Sequence, residues 1–253
     1  MLKSALTFCL SLLLVCRAHA EDKKPSPPRI IAKEPGTLVA GFNGILKLRG
    51  FQLKGTQQFA FTDAPNIKVE VKDKKDAGDL QGFDKNDIGD SQVEIQLTIP
   101  SDQPTATLTF TVQTETGTTP PMKIEVLASQ QFVDEKEPNE GFRNAQPLDT
   151  GRVVRGNIQQ DKDVDVYQFT GKSGEKIRAE IIAARAHSLM DGLLALYDSK
   201  NAVLAQEDDA ADSRDPMIQF TLPGDGTYFL VVTDAHDRGG EWHSYQLLLQ
   251  TAP

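Results

Sequence analysis

From residue 29 onward the chain runs in short stretches in which apolar side chains occupy every second position. Ile45-Leu46-Lys47-Leu48, Ile67 to Val71, Val93 to Ile99, Thr107 to Val112 and Met122 to Val126 all follow this rule. A period of two produces a strand with one buried face. Pro35-Gly36, Gly50, Pro65, Pro100 and Pro120-Pro121 punctuate the runs. Six or seven such strands in roughly 100 residues predict an immunoglobulin-like sandwich over 29–130.

The same pattern returns at Val164 to Thr170, Ile177 to Ile181, Leu193 to Tyr197, Met217 to Leu222, Tyr228 to Thr233 and Tyr245 to Leu249. It predicts a second sandwich over 131–253, so the expected fold is all-β with two sandwich domains in tandem. Ile181 to Tyr197 also carries apolar residues at helical spacing, but Gly192 and the strands on both sides favour strand, loop, strand. Gly171-Lys172-Ser173-Gly174 is too short for a phosphate loop and reads as a hairpin turn. Asp73 to Ser91 interrupts the alternation with six aspartates, three lysines and three glycines. Its mixed charges and unrepeated ligand spacing favour a solvated loop over a calcium site.

The first twenty residues differ in kind. Lys3, an apolar run from Ala5 to Val15 and Ala18-His19-Ala20 form a secretory signal with a small-x-small cleavage site. Acylation at Cys16 is disfavoured, because Leu13-Leu14-Val15 lacks the small residue expected before it. Residues 21–28 read as a proline-rich leader. Cys9 and Cys16 are the two cysteines of the chain and leave with the signal. Thiolate zinc, iron–sulfur, cysteine nucleophiles and disulfides are therefore excluded from the mature protein.

Charge sharpens the division. Residues 21–130 hold 13 basic and 15 acidic side chains, whereas 131–253 hold 12 and 21. An acidic protein repels phosphate backbones, so no nucleic-acid partner is expected, and no later segment is apolar enough to span a bilayer.

The acidic excess has a pattern. Glu135, Glu137 and Asn139 alternate on a segment that Pro138 holds extended, and Asp161, Asp163 and Asp165 precede a strand. Two acidic segments brought together would supply the six to eight oxygens that calcium takes. An EF-hand is excluded, since Val166 stands at the sixth loop position and Lys172 at the twelfth. Glu207-Asp208-Asp209 with Asp212 and Asp215 offers a possible second ion site against the simpler reading of a solvated turn. No H-E-x-x-H or G-x-S-x-G motif occurs, and His187, His236 and His243 read as loop or rim residues.

Glu137-Pro138-Asn139-Glu140, Val154-Arg155-Gly156-Asn157-Ile158, Asp163-Val164-Asp165-Val166-Tyr167-Gln168-Phe169, Glu207-Asp208-Asp209 and Gly224-Asp225-Gly226-Thr227-Tyr228 resemble, in order, the bacterial pre-peptidase C-terminal domain. The resemblance covers about residues 134 to 250. It implies a jelly-roll-like sandwich that serves as an accessory module of exported proteins, similar to clostridial collagen-binding domains. It also implies calcium ligands at Glu135, Glu137, Asn139, Glu140 and Asp165, with either Asp161 or Asp163 completing the set. Pro35-Gly36 followed by Gly44 to Phe51 resembles the start of an IPT/TIG immunoglobulin-like domain.

The expected function is a secreted or periplasmic, non-catalytic, calcium-binding module for a protein, matrix or glycan partner. A hydrolase or peptidase-associated component with a dispersed active site is the alternative. For a carbohydrate- or collagen-binding surface, Trp242 beside Arg238-Gly239-Gly240 is the leading stacking residue, ahead of Tyr228, Phe229 and Tyr245.

Overall fold

The computed structural model describes residues 26–129 and 132–252; the expected signal, with Cys9 and Cys16, and most of the leader lie outside them. The first unit contains β1 (Arg29–Glu34), β2 (Thr37–Val39), β3 (Asn43–Phe51), β4 (Thr56–Phe61), β5 (Lys68–Asp76), β6 (Ser91–Thr98), β7 (Ala106–Thr114), β8 (Gly117–Thr118) and β9 (Met122–Leu127). One sheet runs β1-β3-β6-β5 and the other β2-β9-β7-β4, with β8 added to β7. This is the immunoglobulin winding. The Pro35-Gly36 corner splits the first strand, so that β1 pairs antiparallel with β3 and β2 parallel with β9. The alternating residues meet between the sheets as expected: Leu46, Leu48, Ile95 and Leu97 bury against Phe59, Phe110, Val112 and Ile124.

Asp73 to Ser91 departs from the solvated-loop expectation at both ends. β5 continues through Asp73 to Asp76, paired with β6. It is the edge strand, and nearly all of it is exposed, so beyond Val71 no apolar face marks it in the sequence. Its side chains are instead mostly charged, with Lys75 2.8 Å from Glu94 across the ladder. A charged edge also discourages pairing with other chains. The remainder is anchored by Arg49, which is 2% exposed and donates to the carbonyls of Gly78, Ile88 and Gly89.

The second unit contains β10 (Phe132–Asp134), β11 (Gln146–Pro147), β12 (Val153–Asn157), β13 (Asp165–Gly171), β14 (Lys176–Ile182), β15 (Gly192–Asp198), β16 (Val203–Glu207), β17 (Met217–Thr221), β18 (Gly226–Asp234) and β19 (Ser244–Thr251). Its sheets run β10-β12-β19-β14-β17 and β11-β13-β18-β15-β16. The eight strands β12 to β19 thus follow the jelly-roll winding. Residues 171–174 consequently do not form a hairpin: β13 and β14 lie in opposite sheets, and the turn carries the chain across the sandwich. Ile181 to Tyr197 resolves as strand, loop, strand, with a short 3-10 turn at Ala184–Ala186.

A strap of chain from Glu135 to Gln146 covers the outer face of the second sheet. Phe142 sits edge-on to Phe229 at 4.8 Å and Tyr197 at 5.3 Å, over Val166 and Ala145. Gln146 closes the strap by accepting from Lys136 N at 2.7 Å and donating to the Asp134 carbonyl at 3.1 Å.

The two sandwiches are joined by side chains as well as by sequence. Lys33 at the end of β1 is buried, and its Nζ donates to the Gly36 carbonyl and, at 2.6 Å, to the Ala186 carbonyl of the second unit. Lys33 N donates to the His187 carbonyl at 3.1 Å. Gln246 donates to Thr37 Oγ1, Lys47 pairs with Glu241, and Arg238 lies over the Phe83 ring at 4.5 Å. Gly36 packs closely here: a Cβ on it would lie 3.3 Å from the Ala186 methyl, which would have to give by a few tenths of an ångström.

Burial lowers the Lys33 pKa to about 7 and raises that of Glu34 to about 7. Glu34 therefore holds its proton in the folded state between pH 4.5 and 7 while the unfolded chain releases it, so stability falls as pH rises through that window. Lys33 works in the other direction, restoring stability as pH rises from about 7 towards 10.5. Glu34→Gln removes the first term. Thermal melts from pH 4.5 to 7.5 are expected to show the variant gaining on the wild type as pH rises, by at most about 3 kcal/mol.

Candidate metal centre

The centre forms where the strap begins and β13 starts. Asp165, Tyr167 and Phe169 alternate inward along β13, which places the Asp165 carboxyl inside the sandwich at 0% exposure. Glu135 is positioned by its own backbone N–H on the Arg155 carbonyl and by Asn157 N, which donates to Glu135 Oε2 at 2.9 Å. Asn139 is also fully buried: its carbonyl accepts from Val166 N at 2.9 Å and its N–H donates to Glu137 Oε2 at 3.0 Å. Carboxylate oxygens of Glu135, Glu137 and Asp165 consequently lie within 4.8 Å of one another, the sole such trio of His, Cys, Asp or Glu among the described residues.

Two tyrosines complete the inner wall. Tyr245 OH donates to Asp165 Oδ2 at 2.7 Å, Tyr167 OH donates to Glu135 Oε1 at 2.9 Å, and the two hydroxyls are 2.6 Å apart. Burial beside these carboxylates pushes both phenol pKa values well up, so both remain donors. Burial and the neighbouring Glu135 charge push Asp165 up to about 9. Burial, opposed by its bond from Asn139 N, raises Glu137 as well.

Asp165 Oδ1 and Asn139 Oδ1 are buried oxygens with no hydrogen-bond partner. Orphaned buried acceptors are uncommon, and a pair of them beside three carboxylates is the donor set of a hard divalent cation. Glu135, Glu137, Asn139 and Asp165 therefore fit a calcium ion.

The other expected ligands stand elsewhere. Asp163 is occupied as a turn cap, accepting from Gln159 N at 2.6 Å and Val164 N at 3.1 Å. Asp161 is exposed and accepts from Gly239 N at 3.2 Å, and Glu140 is exposed and accepts from Asn144 Nδ2 at 3.3 Å. The seven-residue set thus narrows to four. Asp208, Asp209 and Asp212 are exposed and bring no trio of carboxylates together, so the second site reduces to a solvated turn. Asp215 is buried and accepts from the backbone of Ala183, Ala184 and Arg185, which fixes the 3-10 turn.

Trp242 is 3% exposed, and Tyr228, Phe229 and Tyr245 are also buried. The expected stacking surface is corrected accordingly: these rings fill the interior. His243 is buried against Phe83 with both ring nitrogens unpartnered, and burial lowers its pKa. His236 lies 3.4 Å from Asp191 at the surface, and His187 ends the 3-10 turn in the left-handed region with φ 58°. The sequence reading missed Tyr167 and Tyr245. For Tyr167 the signal was the D-x-Y spacing on β13, which puts a carboxyl and a phenol on one face of the strand; Tyr245 comes from β19, and nothing local marks it.

The family model of the bacterial pre-peptidase C-terminal domain matches residues 163–234. The matched residues lie in the second sandwich. A probable subtilase-type serine protease of Deinococcus radiodurans is 38% identical over 107 residues, which is 41% of this chain and 15% of that protein. The chain thus corresponds to a small part of this relative's length. The pre-peptidase C-terminal domain of a Bacillus anthracis collagenase aligns at 17% identity with a TM-score of 0.36, covering 46% of this chain and all of that one. A periplasmic inhibitor of g-type lysozyme from Aeromonas hydrophila aligns at 17% identity with a TM-score of 0.34, covering 43% and 96%. Among the described residues no helix is long and apolar enough to cross a membrane.

Gly156 offers a test of the inner wall that needs no metal. A Cβ there would lie 2.4 Å from Tyr245 Cζ and 2.5 Å from its hydroxyl. Gly156→Ala must displace the ring from Glu135 and Asp165, and is expected to cost about 1–3 kcal/mol, measured as a fall in melting temperature. Tyr245→Phe, which keeps the ring but removes the donor, is expected to fall by less.

Proposed function

We propose that this chain is an exported, non-catalytic accessory protein in which calcium locks the start of the second sandwich, leaving both sandwiches available to engage a partner outside the cytoplasm. The observation that carries the reading is the pair of orphaned oxygens, Asn139 Oδ1 and Asp165 Oδ1, beside the Glu135, Glu137 and Asp165 carboxylates. An ion there would release the proton that burial holds on Asp165 and satisfy both oxygens at once. It would also tie the strap to β13, because Glu135, Glu137 and Asn139 belong to the strap and Asp165 to the strand.

The matched domain and its protease relative support an accessory role beside a separate catalytic unit. Export is supported by the signal pattern, and the IPT/TIG-like reading of the first sandwich agrees with its winding. A protein, matrix or glycan partner fits this role.

Calcium added to chelator-treated protein is expected to raise the melting temperature and to protect the strap from proteolysis. Linkage gives about 2.7 kcal/mol at a calcium concentration one hundred times Kd. Asp165→Asn is expected to abolish the calcium response while remaining folded, since Asn keeps the shape of the protonated acid and cannot become the anionic ligand. A wild-type melting temperature and cleavage pattern indifferent to calcium would remove the proposal.

A further inference from the structure

We propose that Phe83 of the first sandwich and His243 of the second form an acid-released clasp, in which the phenyl ring covers a neutral imidazole and is expelled when the imidazole takes a proton. The clasp makes the contact between the sandwiches sensitive to acidity, and it does not require the metal ion.

Phe83 lies between β5 and β6, and its ring centre is 5.8 Å from that of His243, with the planes tilted by 57°. His243 is 3% exposed, and its Nδ1 and Nε2 are both buried without a hydrogen-bond partner. The histidine backbone is fixed within the second sandwich. His243 N donates to the Gly240 carbonyl at 3.0 Å, Ile158 N donates to the His243 carbonyl at 3.2 Å, and the preceding Trp242 carbonyl accepts from Leu189 N at 2.8 Å. The phenylalanine sits instead on a surface turn, its N–H donating to the Leu80 carbonyl at 3.2 Å, with Asp79, Gln81 and Gly82 exposed around it. Displacing Phe83 is therefore the short route by which water reaches the imidazole.

An imidazolium has two N–H donors and a charge, and the closed clasp leaves it no hydrogen-bonded acceptor. Burial lowers the His243 pKa and Arg238 adds to the effect, against Asp234, Asp161 and the Gly240 carbonyl, which attract the proton. Both carboxylates are already engaged. Asp234 accepts from the backbone of Asp191, His236 and Arg238, and Asp161 from that of Gly239. On the first sandwich, Asp84 accepts from Asn86 N at 2.8 Å and Asp79 lies 3.5 Å from Lys85. Phe83 offers a cation little in return, because the Arg238 guanidinium already lies over its ring at 4.5 Å and the imidazole is tilted to it.

The neutral ring thus favours the closed clasp and the protonated ring the open one. The ratio of open to closed rises as pH falls below the ordinary value of 6.5, by at most about tenfold per pH unit, until the lower pKa of the closed form is passed. The β1–β2 corner responds in the opposite sense, since the buried Glu34 keeps its proton up to about pH 7. Acid therefore loosens one side of the joint, at Phe83, while the corner stays shut.

An NMR titration of the two-sandwich protein in chelator, following the imidazole and phenyl resonances from pH 7.5 to 4.5, tests this. His243 is expected to titrate below 6.5, and the nuclear Overhauser contacts between its ring and that of Phe83 to fade with the same midpoint. Phe83→Ala, which uncovers the imidazole, is expected to bring the His243 pKa back towards 6.5. His243→Gln is expected to abolish the acid response at Phe83, whereas His236→Gln on the same loop leaves it intact. Ring contacts that persist through the His243 titration, an unchanged His243 pKa in Phe83→Ala, or a full acid response of Phe83 in His243→Gln would each overturn the proposal. So would a His243 that stays neutral to pH 4.5 with Phe83 in place. Phe83→Ala alters a partly exposed turn and decides the matter if His243→Gln misfolds. None of these failures would alter the melting response to calcium, which tests the other reading.

Discussion

The arrangement of the second sandwich depends on the burial of Asp165 beside Glu135. A fully buried carboxyl next to another carboxylate is unfavourable by itself, and an uncompensated buried charge costs on the order of 3–5 kcal/mol. Three responses are visible around it: tyrosine hydroxyls donate to both groups, the Asp165 proton is retained in the absence of an ion, and the strap carries further oxygens to the same point. The strap has no continuous ladder of its own. Its position over the second sheet follows from this cluster at one end and the Phe142 contacts at the other.

The joint between the sandwiches follows a similar logic with the opposite charge. Lys33 is buried where it can donate to carbonyls of both units, and this exchange of water for carbonyl oxygen fixes the β1–β2 corner against the Ala184–Ala186 turn. Asp215 holds that turn in the shape that presents its carbonyls. Glu135 lies at the meeting point of the two systems, as a member of the carboxylate trio and as part of the wall of the cavity between the sandwiches. Changes at the carboxylate trio therefore have a direct physical route to the joint.

Strands with one apolar face were readable from the sequence, because β3, β6, β7, β13, β18 and β19 bury alternate residues against the opposite sheet. β5 beyond Val71 was not, since an edge strand with both faces in water carries no alternation. β16 was missed for a related reason: Val203 is exposed and the strand lies at the edge of its sheet. At the metal centre, Glu135, Glu137, Asn139 and Asp165 were readable as oxygen donors, but sequence spacing did not distinguish ligands from caps. Asp163 and Asp161 have the same chemistry as Asp165 and differ only in which backbone amides the fold brings to them. The joint was invisible, because Lys33 and Ala186 are 153 residues apart and nothing local marks either one.

The way Lys33 is satisfied bears on how freely these two sandwiches can be shuffled among proteins. A domain carried on a slack tether can be transplanted with its surface intact. Here, Lys33 near the end of β1 donates to a carbonyl on the neighbouring sandwich, and Gly36 packs closely against Ala186. Pairing either sandwich with a new neighbour would have to replace the Ala186 and His187 carbonyls that Lys33 now uses.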